Sequence, residues 1–167
     1  RLRMREGLHV DGVWSAFGAA AALVHLRGGT AQDAVAALEA CATQLPFSLV
    51  RPARQGASIR NLYLGHSAWL GRQAALAVAA GLGTPMGAID DVIELMLDGA
   101  PHGHWPEAGA WCLLDSYWKP FAAVRHVHYG AQAALALRAR LPALASSPEQ
   151  IDAIELTVYP EALQYCA

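Results

Sequence analysis

Charged side chains are few in this sequence, with 12 Lys and Arg against 14 Asp and Glu in 167 residues and a net charge of -2. The arginines are dispersed, so no basic field exists to draw in a nucleic acid, and nucleic acid is not an expected partner. Cysteine is scarce too. Cys41, Cys112 and Cys166 are far apart and form no C-x-x-C pair, which argues against a disulfide scaffold or a zinc knuckle and fits a reducing, cytoplasmic compartment. Long hydrophobic runs are missing: the alanine-rich stretches are broken by His, Arg or Gln before they reach bilayer length, and no secretory signal is visible. No membrane association is therefore expected. The sequence contains no phosphate-cradling glycine loop, no dinucleotide fingerprint and no serine nucleophile elbow, and no cofactor is expected. There is also no internal repeat.

What the chain has is apolar volume. A hydrophobic content of 54% is too high for a disordered segment and supplies a sizeable core. Val13 to Leu26 reads as a buried helix with Trp14, Phe17, Ala21 and Val24 on one side, stopped by Gly28-Gly29. Thr30-Ala31-Gln32-Asp33 resembles a capping box that opens a second helix through Val35, Leu38 and Ala42, ending before Pro46. Residues 47–60 lack a clean period and read as a loop or broken helix. A third long helix runs from Leu64 to Ala80. Thr84-Pro85 then has the form of an N-cap followed by a first-turn proline, with a short helix near Ile89 to Leu97.

After the irregular stretch 99–109 the composition shifts to large residues, which puts a domain boundary between 109 and 110. A helix is expected from Val124 to about Arg140, and Ile151 to Tyr159 alternates as a strand does. The expectation is a mainly α chain: residues 1–109 form part of an all-helical domain, and residues 110–167 begin a smaller α+β domain. The chain opens on Arg1-Leu2-Arg3 without a methionine and stops soon after the expected strand, so it reads as a piece of a larger protein.

The densest chemistry lies in Tyr117-Trp118-Lys119-Pro120-Phe121-Ala122-Ala123-Val124-Arg125-His126-Val127-His128. Pro120 forces Lys119 out of helical geometry, so the lysine is presented from a loop or strand end that faces a helix start, a plausible anion site. Lys119 and His128 together offer a fixed cation and a proton carrier, as a reaction beside a carboxylate requires. His9, in a glycine-bounded loop before a helix, is a candidate proton carrier at a cleft rim. Arg60, at the mouth of the third long helix, is suited to a bidentate contact with a carboxylate. His102-Gly103-His104 suggests a metal, but no further ligand falls at a supporting spacing, so no metal site is expected. His25, His66 and His126 read as structural.

Three segments, in order, carry a family resemblance. Gly7-Leu8-His9-Val10-Asp11-Gly12 through Ala20, then Ile59 to Ala74, then Lys119-Pro120-Phe121 through Arg125 and His128 to Leu137 resemble motifs of the MmgE/PrpD family, over nearly the whole chain. That family includes 2-methylcitrate dehydratase, cis-aconitate decarboxylase and iminodisuccinate epimerase. The resemblance implies a helical domain and a smaller α+β lid, with a metal-free active site in the cleft between them. It implies catalytic roles for His9, Lys119 and His128, and a substrate-binding role for Arg60, which stands where the family usually has lysine. Asp11 replaces the usual threonine and Tyr63 a common histidine. A di- or tricarboxylate clamped by Arg60 and Lys119, aided by Arg125, would exchange a proton at the carbon beside a carboxylate, with His9 and His128 as acid and base in either order. Elimination, decarboxylation or epimerisation could follow. The alternative is a non-catalytic scaffold. Either way, a homo-oligomer or a companion chain is expected to supply the missing helices.

Overall fold

Small side chains decide how the first helices pack. Helix α1 (Ser15–Leu26) buries Ala16, Ala20 and Val24; α2 (Ala31–Ala42) buries Ala37, Ala40 and Cys41; α4 (Leu62–Ala79) buries Leu70, Gly71, Ala74 and Ala75. Between α2 and α4 lies only a short helix, α3 (Val50–Arg54), with a 3-10 turn at Ser58–Asn61, so 47–60 is the broken helix that its composition suggests. The buried positions recur at three- and four-residue spacing, so each helix carries one narrow stripe towards the others. With so little volume in the stripes, the backbones come close. The computed structural model describes residues 3–98, 107 and 109–166, which are mainly helical, with no strand among them.

The closest approach is at Gly71. A β-carbon there would overlap the Ala16 carbonyl oxygen and lie 2.9 Å from both Ala19 Cβ and Ala20 N. At the same interface Ser15 Oγ donates to Ser67 Oγ at 2.8 Å, which satisfies a fully buried hydroxyl. Trp14 and Phe17 are expected beside Val24; Phe17 packs against the cluster that holds Val24, while Trp14, stacked on Phe17 at 6.0 Å, packs with it against a second cluster of Val13, Ala42, Ala88, Val92 and Met96. Val35, expected inside, is exposed, and α2 turns its alanines and Cys41 inward instead.

The helix ends follow local chemistry. Thr30 Oγ1 accepts the Asp33 amide at 3.1 Å and Asp33 Oδ2 accepts the Thr30 amide at 2.8 Å, completing the capping box and holding the Asp33 carboxyl below its ordinary pKa. The expected cap at Thr84-Pro85 is not used. Helix α5 (Ala88–Met96) starts after Gly87, which is left-handed at φ 95°. Its Ile89 amide donates 3.2 Å to Oε2 of Glu39, a buried acid on α2, so a neighbouring helix supplies the anion that this N-terminus favours. At the other end Arg5 donates from Nη2 to the Glu94 carbonyl (2.9 Å) and from Nε to the Leu97 carbonyl (3.3 Å), covering last-turn groups that have no partner within the helix.

The chain divides into two compact units, Arg1–Trp105 and Pro106–Ala167, against a boundary expected between 109 and 110. In the second unit a 3-10 turn at Arg125–Val127 leads into α6 (His128–Arg140), followed by α7 (Pro142–Ala145) and α8 (Pro160–Cys166). The helix expected from Val124 begins later, because Val124 itself is extended at φ -62°, ψ 141°. Ile151–Tyr159 is not a strand. A strand needs a neighbour to share its ladder, and none exists among the described residues; Ile154 is 86% exposed. Leu156 instead lies over Gly130 of α6, where a β-carbon would come 2.9 Å from its Cδ2. The α+β character expected after residue 110 is therefore absent from the described residues. His102-Gly103-His104 and most of 99–109 lie outside them. No described helix is long and apolar enough to cross a membrane.

Gly71→Ala should destabilise the chain by about 2 kcal/mol through overpacking, whereas Gly18→Ala, at an open position on α1, should be neutral or stabilising by up to about 1 kcal/mol. Urea unfolding of both variants checks this; equal effects would contradict the close approach. Burial pushes the Cys41 thiol up to about 11 from 9.0. The folded state keeps this proton after the unfolded chain has released it, so stability should fall as pH rises from about 9 to about 11. With Cys112→Ser and Cys166→Ser in place, that slope should be steeper than in the same chain also carrying Cys41→Ala.

Candidate functional site

In the first unit a polar cluster forms where two loops are tied together. Leu8 and Leu49 make an isolated antiparallel bridge, His9 N donates to the Ser48 carbonyl at 2.7 Å, and Val50 N donates to the Gly7 carbonyl at 2.9 Å. The chain then turns back. The Asp11 amide donates to His9 Nδ1 at 3.0 Å, so the neutral ring carries its proton on Nε2. Gly12 permits the turn, with φ at 84° and no room for a β-carbon, which would fall 2.7 Å from Ser48 Oγ and 2.8 Å from Tyr63 Cβ.

Asp11 links the two candidates of this unit. Its Oδ2 lies 3.7 Å from His9 Nδ1 and 3.8 Å from Arg60 Nη1. His9 is 15% exposed, whereas Asp11 and Arg60 are 40% and 37% exposed. A partly exposed pair at this separation contributes at most about 1 kcal/mol, so it orients the two side chains without closing either to solvent. Tyr63, whose ring centroid is 6.4 Å from that of His9, donates its hydroxyl to the Leu49 carbonyl at 3.3 Å. Beside the cluster is a hollow of about 260 Å³, walled by Phe47, Ile59, Leu62 and Tyr63, with Ser48 and His66 as its polar members. His66 stacks on Trp69, with centroids 6.4 Å apart.

In the second unit Lys119 lies in an irregular segment, as Pro120 dictates, and its Nζ donates to the Ala123 carbonyl at 3.4 Å. The same oxygen is 3.2 Å from His128 Nε2, so lysine and histidine turn to one acceptor and Nε2 holds the proton of the neutral ring. His128 is buried, with the edge of Phe121 against it at 5.4 Å. Burial acts to lower the pKa of Arg125, but Tyr117, Tyr159 and Glu161 more than offset it and hold it above the usual arginine value. His126 is buried, and its Nδ1 is hydrogen-bonded to the Tyr159 hydroxyl. That bond ties the turn before His128 to the end of the 151–159 segment.

The candidates thus form two groups, His9 with Arg60 in the first unit and Lys119 with His128 in the second, the latter next to Arg125. Sequence reasoning missed the bridging position of Asp11 and the tie made by Tyr159. For Asp11 the signal was present, an acid two residues from a glycine-bounded histidine; for Tyr159 there was none, because its partner is 33 residues away. Among the described residues no group of three or more His, Cys, Asp or Glu could hold a metal ion. Comparison with protein-family models, with curated proteins and with solved structures finds no match.

Tyr159→Phe removes one hydrogen bond to a buried imidazole and should cost about 1 kcal/mol locally. Amide hydrogen exchange should accelerate at Arg125–His128 and stay unchanged in α4; protection retained at His128 would show that the tie does not hold this turn.

Proposed function

We propose that the chain is part of a lyase, a dehydratase or decarboxylase, that acts on a small di- or tricarboxylate such as a methylcitrate- or aconitate-like acid, in assembly with further copies or a companion chain. The observation that carries this reading is the convergence of Lys119 Nζ and His128 Nε2 on the Ala123 carbonyl oxygen. A carboxylate oxygen competing for that position would meet a permanent cation and an imidazole together. Removing a proton from the carbon beside a carboxylate builds charge on the carboxylate oxygens. A fixed ammonium stabilises that charge more as it develops than in the ground state, the Nε2–H of His128 donates to the same oxygen, and the unprotonated Nδ1 of that ring is the nitrogen that can accept the proton. Arg125, adjacent in the same turn, supplies a further cation. The three motif resemblances support the same reading.

One observation favours a second reading, a scaffold without catalysis. Asp11 meets both His9 and Arg60, through its amide on His9 Nδ1 and its carboxylate 3.8 Å from Arg60, so each of these side chains has a partner within the chain. The exposed apolar residues Trp111, Leu113, Leu114 and Trp118 in the second unit suit assembly under either reading.

The assembled protein, incubated in heavy water with methylcitrate, citrate and aconitate, should incorporate deuterium at the carbon beside a carboxylate, followed by proton NMR. Lys119→Ala and His128→Asn should each slow exchange by about 100-fold or more. Exchange without loss of water or carbon dioxide would identify an epimerase. No exchange with any acid would leave the scaffold reading.

A further inference from the structure

The His9, Asp11 and Arg60 cluster combines two opposite charges and an imidazole next to an apolar hollow, a combination that a polyanion does not need. The geometry points to a binding site in the first unit for a zwitterionic α-amino acid with an apolar or aromatic side chain. This goes beyond the lyase reading and does not rest on it, since it concerns binding to residues of one unit only.

The charges carry the argument. Arg60 and Asp11 are both more than a third exposed and stand 3.8 Å apart, longer than a direct hydrogen bond, so each keeps donors or acceptors for a ligand. A guanidinium beside a carboxylate is the complement of a carboxylate beside an ammonium group. An α-amino acid presents its two charges at that short spacing, and a ligand with two carboxylates would set one of them against Asp11. Like charges at such range disfavour binding. His9 Nδ1 lies 3.7 Å from the same Oδ2, so one imidazole borders the Asp11 side of the cluster.

The hollow carries the side chain. Its volume of about 260 Å³ is below that of pockets for drug-sized ligands and suits one large apolar group. It adjoins the charged cluster, because Ser48 and Tyr63 press on Gly12, the residue after Asp11, while Ile59 precedes Arg60. Phe47, Ile59 and Leu62 are each more than half exposed around it, and their apolar surface would be covered by the ligand's side chain.

The test is calorimetric titration of the full chain with L-phenylalanine, 3-phenylpropionate, phenethylamine and citrate. Phenylalanine should bind about tenfold or more tightly than either truncated analogue, the gain expected of one added charge-assisted hydrogen bond. Asp11→Asn should erase its advantage over 3-phenylpropionate, and Arg60→Gln its advantage over phenethylamine, with circular dichroism verifying that each variant is folded. Citrate or 3-phenylpropionate binding as well as phenylalanine would overturn the proposal, as would no binding of any ligand or unchanged ratios in both variants. Because no turnover is measured, phenylalanine binding without lyase activity sinks only the lyase reading. Citrate bound in preference sinks only this one.

Discussion

The contact between α1 and α4 at Gly71 sets the geometry of the first unit. Once a glycine in the middle of one helix sits against the backbone of another, side chains along both interfaces must be small, and Ala16, Ala20, Ala74 and Ala75 meet that demand. Glycine inside a helix costs about 1 kcal/mol relative to alanine, so its presence there is intelligible only through the approach it permits. Phe17 borders this interface and, with Trp14, also packs on the second cluster, where α5 is held by Glu39 at one end and by Arg5 at the other.

That packing places the mouths of the helices, and the polar cluster occupies one of them. Val13, fully buried at the foot of α1, anchors the chain directly after Gly12, and Ser67 on α4 is bonded to Ser15 on α1. Arg60 and Tyr63, at the start of α4, are consequently brought against the loop that carries His9 and Asp11. In the second unit a different principle operates. Few of its described residues are buried, and the polar ties from Lys119 and His128 to Ala123, and from His126 to Tyr159, shape the turn before α6. One site is positioned by close packing and the other by hydrogen bonds to the backbone and a phenol.

Much of the first unit was legible from residue patterns because its signals are local. The capping box at Thr30 and Asp33 needs only four residues, and the glycine stop after α1 needs two. The expected inward face of each helix was less accurate: hydrophobicity favoured Trp14 and Val35, whereas volume at the interface favoured alanine. The start of α5 escaped for a similar reason, since Thr84-Pro85 has the right local chemistry but the acid that serves the helix comes from Glu39, 50 residues earlier. Alternation in 151–159 satisfied the pattern of a strand, which is no more than a capacity to pair.

The candidate residues divide in the same way. That Lys119 leaves the helical path follows from Pro120 alone, and that His9 lies in a loop before α1 follows from its flanking glycines. The helical class, the caps and these backbone settings were determined by sequence, because each depends on steric and hydrogen-bonding preferences acting over a few neighbouring residues. The meeting of His9 and Arg60 through Asp11, the tie from His126 to Tyr159 and the absence of a strand at 151–159 were decided by tertiary structure. Each depends on which distant partner arrives within a few ångströms, and that is set by the packing of whole helices rather than by any local preference.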